Sequence, residues 1–326
     1  MSGPVIELGL HAAVVAVDGR DPLVLTVNSA NDRDQRSALP FGPFDPNRHR
    51  TLEAGLRSWV AEQTQLPLGY VEQLYTFGDR GRFETIDAQN AHLVSVGYLA
   101  LVRRTQSTPN RELYWSNWYD HFPWEDWRGG EPSMLTTMIL PALQDWVSGA
   151  PTRAETAARD SRMRLAFGCD FGALETPVIH GWDEERVLDR YELMYEAGLV
   201  DEAQIDGVVA QLRVETGPGR AMLNDHRRIL ATAMARLRAK LKYRPVVFEL
   251  MEPQFTLTEL QQTVETLSGR NLHKQNFRRL VEKTDLVEPT GRTTSQTGGR
   301  PAAYFQFKSS ITRERPAPGL RVGSRS

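Results

Sequence analysis

The segment TLEAGLRSWVAEQTQL, residues 51–66, could hold a divalent cation if its acidic side chains were placed for that purpose. Mg²⁺ takes near-octahedral oxygen ligation and usually binds one or two protein carboxylates besides the phosphates of its substrate. In the second half of this segment Glu62 is the only carboxylate, and Trp59 stands close to it. Without Mg²⁺, hydrolysis of a diphosphate would lack both its Lewis acid and its activated water. We therefore expect no catalytic residue, no required cofactor and no metal site here.

Residues 255–307 carry a second pattern, which is typical of a winged helix-turn-helix. Thr256 is suited to cap a first helix, Gly269 suits the turn, and NLHKQNFRRLVEKTDL predicts a second helix. Two strands then enclose the loop RTTSQTGGRP. Short polar and basic side chains near the start of a helix in the major groove reach base edges, while arginines farther on and on the wing reach phosphates. The residues expected at bases are His273, Lys274, Gln275 and Asn276, and those expected near the DNA backbone are Arg278, Arg279, Arg292 and Arg300.

The charge distribution favours a polyanionic partner for this C-terminal part. Residues 221–315 hold 17 Lys and Arg against 9 Asp and Glu, whereas residues 1–220 hold 20 against 32. An acidic body joined to a basic module suggests that the module meets a polyanion, which in the winged-helix interpretation is double-stranded DNA; the alternative is that +8 over residues 221–315 is only moderately basic and arises by chance. Two other interpretations stay open. A winged helix can serve for protein contacts alone, and Arg278 or Arg279 could pair with Glu282 on the helix surface.

Composition excludes several other classes of protein. The chain has 326 residues, 40% hydrophobic and 25% charged, which is ordinary for a globular protein of about two domains. No apolar run approaches the ~20 residues that span a bilayer, and the N-terminus lacks the basic start of a secretory signal. The single cysteine, Cys169, excludes an internal disulfide and a cysteine-rich zinc site. We expect a cytoplasmic protein with no membrane partner.

The first hundred residues predict an α/β arrangement. Thr51 is suited to cap a helix that runs to about Thr64, because Leu52, Leu56 and Trp59 recur three to four residues apart. Apolar runs rich in β-branched residues and bounded by turn residues predict strands at 12–17, 23–27, 70–77 and 93–102.

Four of the seven tryptophans lie in the segment ELYWSNWYDHFPWEDW, residues 112–127. One interpretation is an insertion, at 105–132, that packs over the sheet and fills a core gap or a subunit contact. The other is a lid whose rings stack on a flat ligand such as adenine. Amphipathic helices are predicted after it, and Pro218-Gly219 marks a linker. The predicted domains are 1–150 for ligand sensing, 151–219 for helical connection and dimerisation, 220–310 for DNA binding, and 311–326 as a disordered tail.

The segment at 51–66 resembles a degenerate Nudix box, G-x5-E-x7-R-E-U-x-E-E-x-G-U with U bulky and apolar. Gly42 lies near the opening glycine, and the later part aligns without gaps. Ser58 then stands at the motif arginine, Trp59 at its first glutamate, and Glu62-Gln63 at the glutamate pair. Arg57 is one residue out of register. The resemblance implies a Nudix-like domain with a mixed sheet and a Nudix helix whose metal-binding carboxylates are mostly gone.

The order of Nudix-like domain, long helix and winged helix-turn-helix resembles the NrtR-like, Nudix-related transcriptional regulators of NAD metabolism. The resemblance covers residues 12–104 and 221–307, and the aromatic insertion and helices of 133–216 look more like the longer, NadQ-type subgroup. It implies a homodimeric repressor of NAD biosynthesis genes with an α-helical insertion. Its Nudix-like domain would sense NAD, ADP-ribose or ATP without catalysis, and unequal binding to two arrangements would change operator affinity.

The ligand contacts implied by this resemblance are Glu62, Asp79, Arg80, Arg82, Trp115 and Trp118. For the loop that holds Asp79, Arg80 and Arg82, a solvated hairpin is the alternative. The main functional alternative is an active Mg²⁺-dependent Nudix pyrophosphatase acting on ADP-ribose or a related nucleoside diphosphate.

Overall fold

A computed structural model describes residues 6–28, 36–79, 92–104, 113–171, 177–243, 245–294 and 301–308. Within them, the N-terminal part forms a seven-stranded mixed sheet ordered β3-β2-β1-β6-β5, in which β4 also pairs with β1 and β7 with β2. Only the pairing of β1 with β6 is parallel among these strands. The strands are β1 (Ile6–Asp18), β2 (Asp21–Asn28), β3 (Ser37–Ala38), β4 (Phe41–Pro43), β5 (Tyr70–Phe77), β6 (His92–Leu101) and β7 (Leu113–Asn117).

The strands predicted from apolar runs are confirmed, and β1 explains why its sequence is apolar throughout. Residues 12–16 are fully buried because both faces of the sheet are covered. Alternate residues of a strand point to opposite faces, so Ala13 and Val15 join one core and Ala12 and Val14 another. The sheet therefore separates two layers.

One layer is the single helix α1 (Leu52–Thr64). Thr51 caps it, with its hydroxyl accepting from the Ala54 amide at 3.1 Å, as the sequence predicted. The buried face includes Leu56 and Val60, which pack on the sheet. The helix ends where Gln65 takes a left-handed conformation, φ 55°.

The opposite layer is helical and contains the aromatic segment. Trp118, Phe122 and Trp124 are fully buried in a core that is shared with the long helix and with the C-terminal domain. A π-helical turn, Leu135–Ile139, precedes the helix predicted near 133–147. The remaining elements are α2 (Trp118–His121), α3 (Leu140–Ser148), α4 (Arg153–Phe167), the hairpin β8 (Cys169–Phe171) and β9 (Pro177–Ile179), α5 (Val187–Glu196), α6 (Asp201–Ile205) and α7 (His226–Tyr243).

The C-terminal elements form a winged helix, which confirms the predicted fold class. A capping box opens α8, because Thr256 accepts from the Glu259 amide and Glu259 accepts from the Thr256 amide. The described helices include none long and apolar enough to cross a membrane. The elements are a 3-10 turn (Val246–Leu250), β10 (Phe255–Thr256), α8 (Leu257–Ser268), α9 (Lys274–Thr284), β11 (Val287–Thr294) and β12 (Ala302–Phe307), with strand order β10-β12-β11.

Candidate nucleic-acid interface and nucleotide-sensing site

Helix α9 presents a polar, basic face to solvent. Phe277 and Val281 are buried against the rest of the winged helix, and the side chains around them are exposed. Within the described residues, these exposed side chains have no hydrogen bond or ion pair, so the suggested pairing of Arg278 or Arg279 with Glu282 does not form there. The exposed residues that were predicted to contact DNA on this helix and at its start are His273, Lys274, Gln275, Asn276, Arg278 and Arg279.

The turn that leads into α9 is held rigidly. Glu265 accepts from the Leu272 amide at 2.8 Å, and Gln261 donates to the Leu272 carbonyl, also at 2.8 Å. Gly269 has φ +74°, which favours glycine, and a Cβ there would overlap the backbone carbonyl of Glu125. The start of α9 is therefore fixed relative to α8 and to the aromatic segment.

The wing is the hairpin of β11 and β12. Arg292 is exposed on β11, next to Gly291 with φ +78°. Phe307 of β12 stacks on Phe248 at a centroid distance of 4.5 Å, which attaches the hairpin to the 3-10 turn. Arg300, the other arginine predicted for the wing, lies outside the described residues.

In the Nudix-like box, the indole of Trp59 fills the space at the loop before α1. A Cβ added at Gly42 would overlap the indole ring, and Trp59 Nε1 donates to the Pro43 carbonyl at 2.7 Å. An aromatic side chain anchored in this way supplies no oxygen ligand. It also ties α1 to β4, so the helix keeps its place without metal-binding glutamates.

Glu62 is left without the companions that a metal site requires. Its side chain is about half exposed, accepts from Ser58 Oγ at 3.0 Å and lies 3.8 Å from Arg48. The described residues contain no group of three or more His, Cys, Asp or Glu side chains arranged to hold a metal ion. Arg57, the out-of-register arginine, donates to Glu53 and to the carbonyls at 68 and 69, so it fastens the loop after α1.

The other residues predicted to contact a nucleotide have different surroundings. Asp79 forms an ion pair with Arg228 of α7. Trp115 is partly buried on the α1 face of the sheet, with the Arg104 guanidinium 5.4 Å from its ring centroid. Arg80 and Arg82 lie outside the described residues.

Trp118 requires a correction. It is fully buried in the helical core, on the face of the sheet opposite α1, so its ring is not available to stack on a ligand. The core-filling interpretation of the aromatic segment applies to Trp118 and Trp124, while Trp115, three residues before Trp118 on β7, packs on the α1 face of the sheet. Burial of a large aromatic ring in a core is strongly favourable, and the sequence alone does not distinguish it from a stacking platform.

The helical layer contains a buried charge cluster that no sequence pattern predicts. Glu125 of the aromatic segment lies between Arg190 of α5 and Arg238 of α7, and all three side chains are fully buried. Arg190 donates to both carboxylate oxygens, at 2.7 and 2.9 Å, and Arg238 donates to one at 2.7 Å. Desolvation opposes ionisation of Glu125, but the two guanidiniums hold its pKa below the ordinary value. The three residues are far apart in the chain, so no local motif marks them.

The buried charge cluster and the aromatic segment contact the turn between α8 and α9. Arg238 Nε donates to the Leu267 carbonyl at 3.0 Å, and Tyr119 Oη donates to the Thr266 carbonyl at 2.9 Å. The Trp127 amide donates to the Gly269 carbonyl at 2.8 Å. The last carbonyls of a helix need partners from outside it, and here the aromatic segment and α7 supply them. The aromatic segment and α7 therefore hold the turn between α8 and α9 in place.

A pair of buried histidines joins the sheet to the start of α7. His11 Nδ1 and His226 Nε2 are 3.1 Å apart, and the Leu39 amide donates to His226 Nδ1 at 2.7 Å. That amide makes His226 Nδ1 an acceptor, so a neutral His226 carries its proton on Nε2 and donates to His11. Burial lowers the pKa of His11 to about 4, and the pKa of His226 well below its ordinary value.

A cleft of about 360 Å³ lies where the sheet, α7 and the winged helix meet. Tyr70, Lys240, Phe248 and Phe307 are among its lining residues. Of the residues predicted to bind a nucleotide, those that the structure describes (Glu62, Asp79, Trp115 and Trp118) do not line it.

The profile of the NrtR DNA-binding winged helix domain matches residues 247–307. The C-terminal domain is similar to the NrtR DNA-binding winged helix. The resemblance to NrtR-like, Nudix-related regulators is thereby confirmed, and the chain also resembles a solved NrtR in fold. The NrtR of Shewanella oneidensis, solved in complex with a 27mer DNA, superposes with a TM-score of 0.55 and 21% identity, over 96% of this chain and 98% of that one.

Two further proteins are similar to this chain. A MutT/nudix family protein from Enterococcus faecalis superposes with a TM-score of 0.51 and 15% identity, over 94% of this chain and 88% of that one. A relative from Acinetobacter baylyi, an ADPR responsive transcriptional repressor named NtrR, is 42% identical over 83 residues. That match covers 26% of this chain and 33% of the relative, so it spans about a third of that protein's length.

Proposed function

We propose that this chain is a DNA-binding transcriptional repressor of NAD biosynthesis genes whose Nudix-like domain senses an NAD-related nucleotide without hydrolysing it. The observation that carries the proposal is the exposed, unpaired basic face of α9 within an NrtR winged helix. Among the described residues, Lys274, Arg278 and Arg279 have no carboxylate partner, so their charge is available to phosphates. Arginines that lack a carboxylate partner on a recognition helix attract the negatively charged phosphates of DNA.

The sensing part of the proposal rests on a retained fold with an altered box. Trp59 and Gln63 stand where a hydrolase needs carboxylates, and Glu62 alone is a poor ligand set for Mg²⁺. The surrounding sheet and helix are intact, so a nucleotide can bind without being cleaved. The Acinetobacter relative is described as ADPR responsive, which supports ADP-ribose as the first effector to test, with NAD and ATP beside it.

The connection between the two sites runs through α7. Asp79, at the end of β5 and beside the predicted ligand loop, pairs with Arg228 of α7. Ten residues farther along the same helix, Arg238 binds the Leu267 carbonyl at the end of α8. A nucleotide that binds the loop would compete with Arg228 for Asp79. It would thereby act on α7, the helix that holds the end of α8 in place. Such an effector changes operator affinity only if it binds the two arrangements unequally.

The first experiment is an electrophoretic mobility shift with DNA from upstream of the chain's own gene and of NAD biosynthesis genes. Arg278→Ala with Arg279→Ala should abolish binding, while Arg153→Ala, an exposed arginine at the start of α4, should leave it unchanged. The wild-type affinity should fall steeply with salt, as phosphate contacts require. Absence of wild-type binding at low salt would refute the repressor proposal.

The second experiment separates sensing from catalysis. ADP-ribose, NAD and ATP are each titrated with wild type and with Asp79→Asn. One of them should raise the melting temperature of wild type by mass action and change DNA affinity, with a weaker effect on DNA affinity in the variant. AMP release from ADP-ribose with Mg²⁺ should stay at background. Release that is lost in Glu62→Gln would instead support the pyrophosphatase.

We also propose that the chain acts as a homodimer, since helix-turn-helix proteins usually read two half-sites in this way. Light scattering of the chain alone and with DNA measures this. A strictly monomeric complex on a selected operator would contradict it.

A further inference from the structure

The β1–β2 turn of the Nudix-like domain lies beside the start of the recognition helix. Arg20 Nη2 donates to Asn271 Oδ1 at 3.4 Å, and Asn271 is exposed. Asn271 also donates to the Arg128 carbonyl at 2.7 Å, and Arg128 donates to the Arg20 carbonyl. These contacts place a side chain of the sensor domain at the entrance to α9.

Arg20 is a free cation among the described residues. Its side chain is exposed, and its hydrogen-bond partner is a neutral amide. The charged side chains near it in the sequence have other partners: Asp18 lies 3.4 Å from Arg104, Asp21 accepts from the neutral amide of Asn117 at 3.0 Å, and Arg128 is bound to Asp126, so among the described residues none forms an ion pair with Arg20. The positive charge of Arg20 is therefore available to an anion that approaches this end of the molecule.

We propose that Arg20 contacts the phosphate backbone of the operator, so that the sensor domain itself touches DNA. This inference rests on the proposed function. Asn271 is three residues before Lys274, a distance of at most about 11 Å along an extended chain. The major groove is about 12 Å wide, with phosphates along both edges. A guanidinium beside the start of a helix that lies in the groove is thus within reach of the backbone.

The contact has a regulatory consequence. Phosphate contacts from the winged helix alone would depend only on the placement of that domain. A contact from the β1–β2 turn forms only when the sensor and the winged helix keep the arrangement in which Arg20 reaches Asn271. A nucleotide that changes this arrangement would remove a DNA contact directly.

The test uses the dependence of affinity on salt, because it counts phosphate contacts. Each contact adds about 0.9 to the slope of log affinity against log salt, or a factor of about 3.5 between 50 and 200 mM salt. The probe is a fluorescent duplex carrying the sequence that the full-length wild-type chain selects from random DNA. Arg20→Ala should bind more weakly than wild type and have a slope lower by about 0.9 for each protomer bound.

Two further variants keep the interpretation specific. Arg20→Lys retains the charge and should keep the wild-type slope. Arg48→Ala removes an exposed arginine next to α1, on the opposite face of the sheet from the winged helix, and should also keep it. A wild-type slope in Arg20→Ala, with or without weaker binding, overturns the proposal and leaves Arg20 a tether for Asn271. Failure of wild type to select any sequence would instead refute DNA binding as such.

Discussion

Replacement of Glu125 by glutamine should be the most destabilising conservative change in the helical layer. The variant keeps the shape of the side chain but leaves the guanidiniums of Arg190 and Arg238 buried without a counter-charge. The amide also turns one acceptor into a donor that faces other donors. Removing one partner of a buried ion pair typically costs about 3–5 kcal/mol. Three short charge-assisted hydrogen bonds converge on this carboxylate, so a value in that range is expected.

The matched control is Glu196→Gln, which removes the same charge from an exposed pair. Glu196 lies on the surface with Arg162, and both side chains are about half exposed. Exposed ion pairs contribute about 0–1 kcal/mol, so the two substitutions should differ by about 2–5 kcal/mol.

Urea unfolding followed by tryptophan fluorescence measures the difference. With a slope of about 3 kcal/mol per molar urea, Glu125→Gln should lower the midpoint by about 1–2 M, and Glu196→Gln by at most about 0.3 M. Operator affinity should also fall in Glu125→Gln, because Arg238, which binds both Glu125 and the Leu267 carbonyl at the end of α8, would hold the turn before α9 less firmly. Equal midpoints for the two variants would refute the role of Glu125 as the counter-charge that stabilises the buried Arg190 and Arg238.

Two further predictions concern stability. Burial lowers the pKa of His11 to about 4. Between about pH 4 and 6.5 the unfolded chain therefore binds more protons at this histidine than the folded chain does. The free energy of unfolding should fall on acidification by about 1.4 kcal/mol per pH unit from this histidine. The slope of unfolding free energy against pH should flatten in His11→Gln. It should not flatten in the control His180→Gln, which replaces an exposed histidine. Equal slopes in the two variants would contradict the buried, neutral histidine pair. Gly269→Ala should destabilise the chain and weaken DNA binding more than Gly207→Ala, because both glycines have positive φ but only the added Cβ at 269 meets backbone atoms; similar losses in both would show that φ strain alone matters.

Most of the local structure was predictable from the sequence. The cap at Thr51, the turn at Gly269 and the amphipathic pattern of α9 are local signals, because capping, left-handed turns and helical periodicity depend on neighbouring residues. The missing carboxylates in the Nudix-like box were equally readable. The order of the winged-helix elements followed from the same signals.

The contacts between distant segments required the tertiary structure. Trp118 and Trp115 are three residues apart in one aromatic run, and only the course of β7 and α2 decides that one is buried in the helical core and the other lies on the opposite face of the sheet. Nothing near Glu125 predicts that it meets arginines 65 and 113 residues away.

What the sequence determined by itself is the set of elements and the side chains that each carries: a Nudix-like helix with most of its carboxylates missing, and a helix with an exposed basic face. Only the tertiary structure decided how the two are joined. The joining depends on buried charges, a histidine pair and a turn that places Arg20 beside Asn271. Such contacts form between chain segments that packing brings together, and so no local pattern of residues encodes them.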